Sequence, residues 1–322
     1  MSSTLVDLAD VSPLDAPKLR EALTQVRLEE IRDADSPAFH AAYDMLAACF
    51  FDRGELEDRD HLAAFVRQPR IVYDRTLEGT YHLIAAFDGD TLVGVRDCYV
   101  DLDLEQGLCV VALAHSYVDP AWRRRGLAAA LRTCPLTLAR RTLEHGFGRL
   151  LPTLVVAEME PADPNDPATV VRLMAYGRSG FSVLDPRRVP YSQPEFRDLP
   201  EASHTGIPLL GVVRTLGVEG SPEGTVPEHV AAAFPRLFYV CHRMFLPGER
   251  VDPSEAHVRS RLEAGGTPVP LLPLPTSTAS LGSLAPLVRG AVLPLYPPGL
   301  RGPDPQYAPP SEEYARLLAN WA

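Results

Sequence analysis

Lysine is all but missing. Lys18 is the only one among 31 basic residues in a chain of 322. No Gly-Lys-Ser/Thr step of a phosphate-binding P-loop can therefore be built. Lys18 lies in a polar N-terminal stretch, a poor place for the desolvated amine that Schiff-base chemistry needs. No H-E-x-x-H and no G-x-S-x-G run occurs, so two common hydrolase signatures are absent. The five cysteines (Cys49, Cys98, Cys109, Cys134 and Cys241) form no C-x-x-C pair. They read as reduced small hydrophobes rather than as a disulfide framework or a zinc site. No apolar run approaches the length that spans a bilayer, and "MSSTLVDLADVSP" has neither the basic head nor the apolar core of a signal peptide. Cytoplasm is the expected compartment, with no membrane partner. A formal net charge of -11 argues against a general nucleic-acid binder, because phosphate contacts dominate that affinity.

What is present is a soluble globular composition, 46% hydrophobic and 23% charged, in a length that suits one large domain or two ordinary ones. One stretch departs from the acidic balance. From Pro120 to Leu143 there is no Asp or Glu but there are six arginines, three of them consecutive in "DPAWRRRGLAAALR", residues 119–132.

Patterning organises the rest. A polar lead (1–24) precedes a strand at 26–31. Ser36-Pro37 then signals a helix start, with apolar residues at helical spacing through 51. Two strands flank the turn Asp88-Gly89-Asp90, and an apolar strand (109–120) runs into the arginines. A helix from Gly126 to about His145 places Leu127, Leu131, Cys134 and Leu138 on one face, with Pro135 expected to kink it. A strand at 149–160, a helix ending in "YGRSG" and strands at 181–185 and 207–217 follow. Beyond about residue 220 the texture turns helical and proline-rich. The expected division is therefore a lead (1–24), a strand-dense domain (25–220) and an extension (221–322). The extension holds no second copy of the arginine–glycine run.

A strand followed by R-x-x-G-x-A and a helix is a pyrophosphate site in physical terms. Glycine permits close backbone approach, the first helix amides lack partners, and the positive helix end favours phosphate oxygens. Arginine guanidinium groups add planar forks for those oxygens. The bland alternative is a solvated arginine turn capping an ordinary strand–helix unit.

With these residues in view, the sequence resembles the GNAT superfamily of acyl-CoA-dependent N-acyltransferases. "YVDPAWRRRGLA" (117–128) follows that family's cofactor motif, and "YGRSGF" sets Tyr176 five residues before Phe181, a second landmark. The resemblance covers roughly the first two-thirds of the chain and implies an α/β fold with a mixed, splayed central sheet. It implies that the backbone of Ser116, Tyr117 and Val118 pairs with the pantetheine arm of coenzyme A. Arg123, Arg124, Arg125, Gly126, Leu127 and Ala128 would wrap the pyrophosphate. The co-substrate it implies is acetyl-CoA, and Tyr176 would be the general acid toward the departing thiolate.

An alkyl ammonium has a pKa of roughly 10, so a base must take a proton before the amine attacks. Glu158 and Glu160, at the end of the strand that faces the thioester in this reading, are the first and second candidates. Against each stands a solvated strand end, and against His115, a third candidate, a satisfied core histidine. The chain departs from the family at Ala112, where some members carry a glutamate, at Thr169, where asparagine is common, and at Pro135.

The acidic segments 52–60 and 158–166 suit a cationic acceptor, and the expected acceptor is a primary amine of a small molecule. The proline-bracketed "VPYSQPEF" (189–196) is a candidate wall of its pocket. The apolar helix in the extension covers its own domain or leaves a homodimer open. The expected activity is N-acetyl transfer; the alternative is a coenzyme-A-binding or sensing protein that does not turn over.

Overall fold

The computed structural model describes residues 5–51, 55–163, 165–196 and 206–301. Asp52, Arg53 and Gly54 of the acidic segment, Pro164, and 302–322 of the expected extension lie outside these. The chain forms two compact units, 1–155 with 215–217, and 156–214 with 218–322.

The first unit begins with α1 (Ala16–Gln25), β1 (Arg27–Ile31), α2 (Pro37–Phe50) and α3 (Arg59–Arg67). It continues through β2 (Ile71–Val72), β3 (Leu77–Asp88), β4 (Thr91–Asp103), β5 (Leu108–Val118) and α4 (Leu127–Phe147) to the start of β6 (Thr153–Met159). The sheet order is β1-β3-β4-β5, antiparallel throughout, with the short β2 also on β3. β3 and β4 form the hairpin that Asp88-Gly89-Asp90 signals, with Gly89 at φ 56. α2 starts where Ser36 Oγ accepts the Phe39 N–H at 3.2 Å, with Pro37 at the first helical position.

Strand alternation sets the two faces of this sheet. Val95 joins Phe39, Leu46, Leu62 and Phe65 from α2 and α3 in one apolar cluster. At the next position, a side chain on Gly94 would meet Leu127 and Leu131 of α4, each at 3.2 Å. Leu127, Leu131, Cys134 and Leu138 are all buried, as their spacing requires. The chain stays helical through Pro135 and ends at Gly148, φ 63, whose N–H bonds the Glu144 carbonyl.

The N-terminal lead is not loose. Asp7 N–H bonds Thr137 Oγ1 at 3.1 Å, and Leu19 and Ala22 of α1 are buried.

The second unit holds the rest of β6, then α5 (Pro167–Arg178), β7 (Ser182–Leu184), β8 (Ser192–Gln193), β9 (Ile207–Pro208) and β10 (Leu210–Leu216) as far as Arg214. After these come β11 (Thr225–Val226), α6 (Glu228–His242), α7 (Gly248–Gly265), β12 (Val269–Pro273) and the short α8 (Arg289–Val292). β7 pairs antiparallel with both β10 and β12, and β12 with β11. Strands therefore continue past residue 220, and "TPVPLLP" contributes one where an irregular stretch was expected. Pro270 still accepts at its carbonyl from Asp185 N–H at 3.0 Å, and Leu271 N–H bonds Gly224 at 2.8 Å. Prolines are tolerated because their missing donors fall at positions the ladder does not use. Tyr191, Phe234 and Tyr239 are the largest side chains of this core.

Both units are mixed α/β with mostly antiparallel strands and flanking helices. Among the described residues no helix is long and apolar enough to cross a membrane.

Candidate functional site

Past the end of β5, Asp119 Oδ1 accepts the Ala121 N–H at 2.8 Å and closes a 3-10 turn over Pro120–Trp122. Trp122 is buried and anchors the turn, while Arg123, Arg124 and Arg125 are exposed. Arg123 donates Nε–H to the Val118 carbonyl at 3.2 Å and lies 5.8 Å from the Tyr117 ring centroid. Arg125 lies 5.1 Å from the Trp122 ring centroid. Arg124 has φ 64, the one non-glycine residue with positive φ among those described. Holding it there costs about 1–2 kcal/mol.

Gly126 is the N-cap of α4, at φ 92. A side chain there would stand 2.3 Å from the Lys18 carbonyl oxygen, so α1 as well as the turn demands glycine. The close neighbour of this glycine in the structure is thus the α1 backbone. The helix start keeps its chemistry. Ala129 and Ala130 N–H groups both reach the Gly126 carbonyl at 3.1 Å, whereas Leu127 and Ala128 have no carbonyl a turn behind them. Ala128 is exposed, and the positive end of a 21-residue helix lies beside three exposed guanidinium groups.

The remaining arginines of the acid-free run are not all alike. Arg140 Nη2 holds both oxygens of Asp10, at 2.7 and 2.8 Å, and Nη1 pairs with Asp7. Arg132, nearly buried, faces Asp15 at 3.7 Å. The aspartates of the lead therefore neutralise α4 from outside its own sequence.

Of the backbone triplet, Tyr117 stands opposite Val95 and Val118 opposite Gly94, and Ser116 Oγ donates to the Val95 carbonyl at 3.4 Å. Just before it the register shifts, because β5 inserts one extra residue opposite the Arg96–Cys98 segment of β4. Such a bulge bends a strand and re-aims its side chains. His115, in the bulge, sends Nδ1 to Asp97 Oδ2 at 3.0 Å and Nε2 to the Glu55 carbonyl at 2.5 Å. Burial opposes its charge, but the Asp97 charge and hydrogen bond, the Glu57 charge and the Glu55 carbonyl outweigh it, raising the pKa to about 9. With both ring nitrogens donating, His115 is an imidazolium near neutral pH and has no lone pair for a proton. It is a satisfied structural cation rather than a base. Burial raises the Glu57 carboxyl, with the His115 charge acting against the rise. Tyr81 also donates to Asp97, at 3.2 Å. Asp97 and Glu57 were not singled out by sequence reasoning; only the inward-facing His115 hinted at them.

In the second unit, Glu158 is half-buried near the end of β6, and its Oε1 accepts from the Tyr191 hydroxyl. Glu160 is exposed and pairs with Arg172 at 3.0 Å, the arrangement of a solvated strand end. Tyr176 closes the last turn of α5. It is buried, with its ring 5.0 Å from Phe181 in an edge contact and its carbonyl taking the Ser179 and Phe181 N–H groups. Thr169, in the asparagine position of the motif, accepts from Asp163 N–H at 2.9 Å and donates to the Asp166 carbonyl at 2.7 Å, so it ties the start of α5. Tyr191 was missed as an individual residue, although its proline-bracketed segment was noticed.

Comparison with known proteins follows the same lines. Residues 39–161 match the model of the acetyltransferase (GNAT) family. No curated protein matches the sequence. Among solved structures, the chain is similar to a putative GNAT-family acetyltransferase from Bacteroides thetaiotaomicron, at 21% identity over 58% of this chain and 86% of that one, TM-score 0.38. It is similar to an Arabidopsis thaliana protein in complex with the bisubstrate analogue CoA-Ac-MVNAL, at 14% identity over 60% and 99%, TM-score 0.37. A third is an aminoglycoside acetyltransferase from an uncultured soil metagenomic sample, in complex with sisomicin, at 19% identity over 39% and 76%, TM-score 0.29. Through residues 39–161 the chain carries a domain of the GNAT acetyltransferase family.

Proposed function

We propose that the protein transfers an acyl group, acetyl in the first instance, from coenzyme A to a primary amine of a small molecule by direct attack. The observation that carries this reading is the pairing of three exposed arginines with the exposed first amides of α4, at the end of a strand in a GNAT domain. That set fits a diphosphate: guanidinium forks and helix amides are donors only, and the local charge is positive in an acidic protein. Arg123 to Ala128 would hold the pyrophosphate, and Ser116, Tyr117 and Val118 would offer backbone groups to the pantetheine arm.

When bound, acetyl-CoA supplies an activated thioester carbonyl. The protein's part is to free the amine and to protonate the leaving group. Glu158 takes the proton from the ammonium, the nitrogen forms its bond to the carbonyl carbon, and the carbon–sulfur bond breaks. Tyr176 gives its proton to the thiolate, so the products are an N-acyl amine and the thiol of coenzyme A. Glu158 is preferred to Glu160 because its carboxylate is half-buried and held by a hydroxyl, whereas Glu160 is tied up in a surface pair. His115 is excluded as the base by its charge.

The test is release of free thiol from acetyl-CoA across a panel of small cationic amines, with Tyr176→Phe alongside the parent. Amine-dependent release that falls at least tenfold in Tyr176→Phe, with coenzyme A still bound, supports the enzyme. Binding of acetyl-CoA with no release toward any amine or peptide N-terminus would instead favour a coenzyme A sensor.

A further inference from the structure

We propose that Tyr191 is a positioning residue for Glu158, and that the part of the second unit beyond residue 220 holds Tyr191 in place. The inference rests on the acyl-transfer reading for the role of Glu158, but on the second unit alone for its geometry.

Tyr191 follows Pro190 in the segment between α5 and β8, and it is wholly buried, with none of its surface exposed. Its hydroxyl is not spent on a backbone carbonyl, the usual partner of a buried tyrosine, but on the Glu158 carboxylate. Everything around the ring fixes its direction. Phe234, Tyr239 and Phe238 of α6 stand at 4.8, 5.2 and 5.9 Å between ring centroids. The Tyr191 carbonyl accepts from the Tyr296 hydroxyl at 2.8 Å and from Leu209 N–H at 3.0 Å. The next residue is gripped as well, since the Ser192 carbonyl accepts from the Tyr239 hydroxyl at 3.2 Å.

A phenol has only two side-chain torsions. Once its backbone and ring are fixed, its oxygen is placed. A glutamate has three torsions, so a fixed donor on one oxygen removes much of its freedom. Holding a general base within a few tenths of an ångström of its working position is what proton transfer demands. Burial and then the Glu158 charge push the Tyr191 hydroxyl well above its ordinary range, so it remains a donor wherever the protein is folded. The residues that do this holding, Phe234, Phe238, Tyr239 and Tyr296, all come from beyond residue 220, which gives that segment a task.

A donor to the charged form lowers a carboxyl pKa, so removing it raises the pKa. The other titratable groups facing the pair are Tyr239 and Cys241, with Tyr296 and Glu255 facing Tyr239 in turn. His242, 6.5 Å from the Tyr191 ring, is held neutral by burial and by Arg243, its pKa lowered to about 3.

The experiment follows the Glu158 carboxyl by carbon-13 NMR titration, assigned by its loss in Glu158→Gln, in the parent, Tyr191→Phe and Tyr296→Phe. Thermal melts check the fold. The acidic limb of kcat/KM is measured with acetyl-CoA and the best amine of the panel. In Tyr191→Phe the Glu158 midpoint and the acidic limb should both move up, by roughly one pH unit. In Tyr296→Phe, which leaves the hydroxyl but frees the backbone that carries it, both should move less, in the same direction. An unmoved midpoint, or an activity that falls equally at every pH, makes Tyr191 a packing residue and overturns the proposal. Full turnover by Glu158→Gln overturns it too, while leaving acyl transfer intact. The acyl-transfer reading itself fails only if the parent releases no thiol.

Discussion

Arg140 and Arg124 come from one acid-free run of sequence, yet the fold treats them in opposite ways. Arg140 grips Asp10 with two hydrogen bonds and is two-thirds covered. Arg123, Arg124 and Arg125 stand exposed, and among the described residues no carboxylate pairs with them. The run therefore has two jobs. Its later arginines bind the N-terminal lead to α4, and its first three are left for something that is not part of the chain. A positive cluster that the protein could have neutralised, as it did one turn further on, is a better mark of an anion site than a positive cluster alone. His115 extends the comparison: it is a third cation whose partners, Asp97 and the Glu55 carbonyl, are built in.

The largest expected effect tests the built-in partners through pH. A pKa raised from 6.5 to about 9 on folding means that the stabilisation from His115 is complete below pH 6.5 and lost as pH rises to about 9. The loss should reach up to about 3 kcal/mol. Urea melts of the parent at pH 6.5 and 9.5 should show it, and His115→Gln should flatten the slope; a parent equally stable at both values would mean that the ring is neutral.

Next in size are the exposed arginines. Replacing Arg123, Arg124 and Arg125 together by serine should weaken binding of coenzyme A about a hundredfold. The urea midpoint should stay within about 0.5 kcal/mol of the parent, since these side chains touch little else. The converse variant, Arg140→Ala, should cost about 1 kcal/mol of stability, because the pair with Asp10 is only partly buried, and should leave the affinity for coenzyme A nearly unchanged. If the two variants exchanged these outcomes, the division of the run into two jobs would be wrong. The smallest effect is expected at the surface pair of Glu160 and Arg172, where Glu160→Gln should change turnover less than twofold.

Much of this was legible in the sequence where local chemistry decides. Ser36-Pro37, the turn at Asp88-Gly89-Asp90 and the apolar stripe of α4 each need only a few neighbours in the chain, and each forms as its residues indicate. The R-x-x-G-x-A step pointed to the helix start for the same reason. What stayed hidden depends on distant partners. Nothing near Gly126 announces that Lys18 will press against it, and no local pattern marks the extra residue in β5 that sets His115 on Asp97. Prolines concealed β12, because they count against a strand unless the ladder leaves their positions without a donor. Tyr191 gains its meaning only from aromatic residues 43 to 105 positions later in the chain, Phe234 being the nearest of them and Tyr296 the furthest.

The central claim is that the three exposed arginines and the start of α4 hold the diphosphate of an acyl-CoA. Calorimetric titration of the full-length protein with acetyl-CoA, and of the triple arginine-to-serine variant, tests it most directly. The expected result is a single saturable site in the parent, weakened by added salt, and about a hundredfold weaker in an equally stable variant. A folded parent that takes up no acetyl-CoA, or a variant that binds it as well as the parent does, would contradict the account.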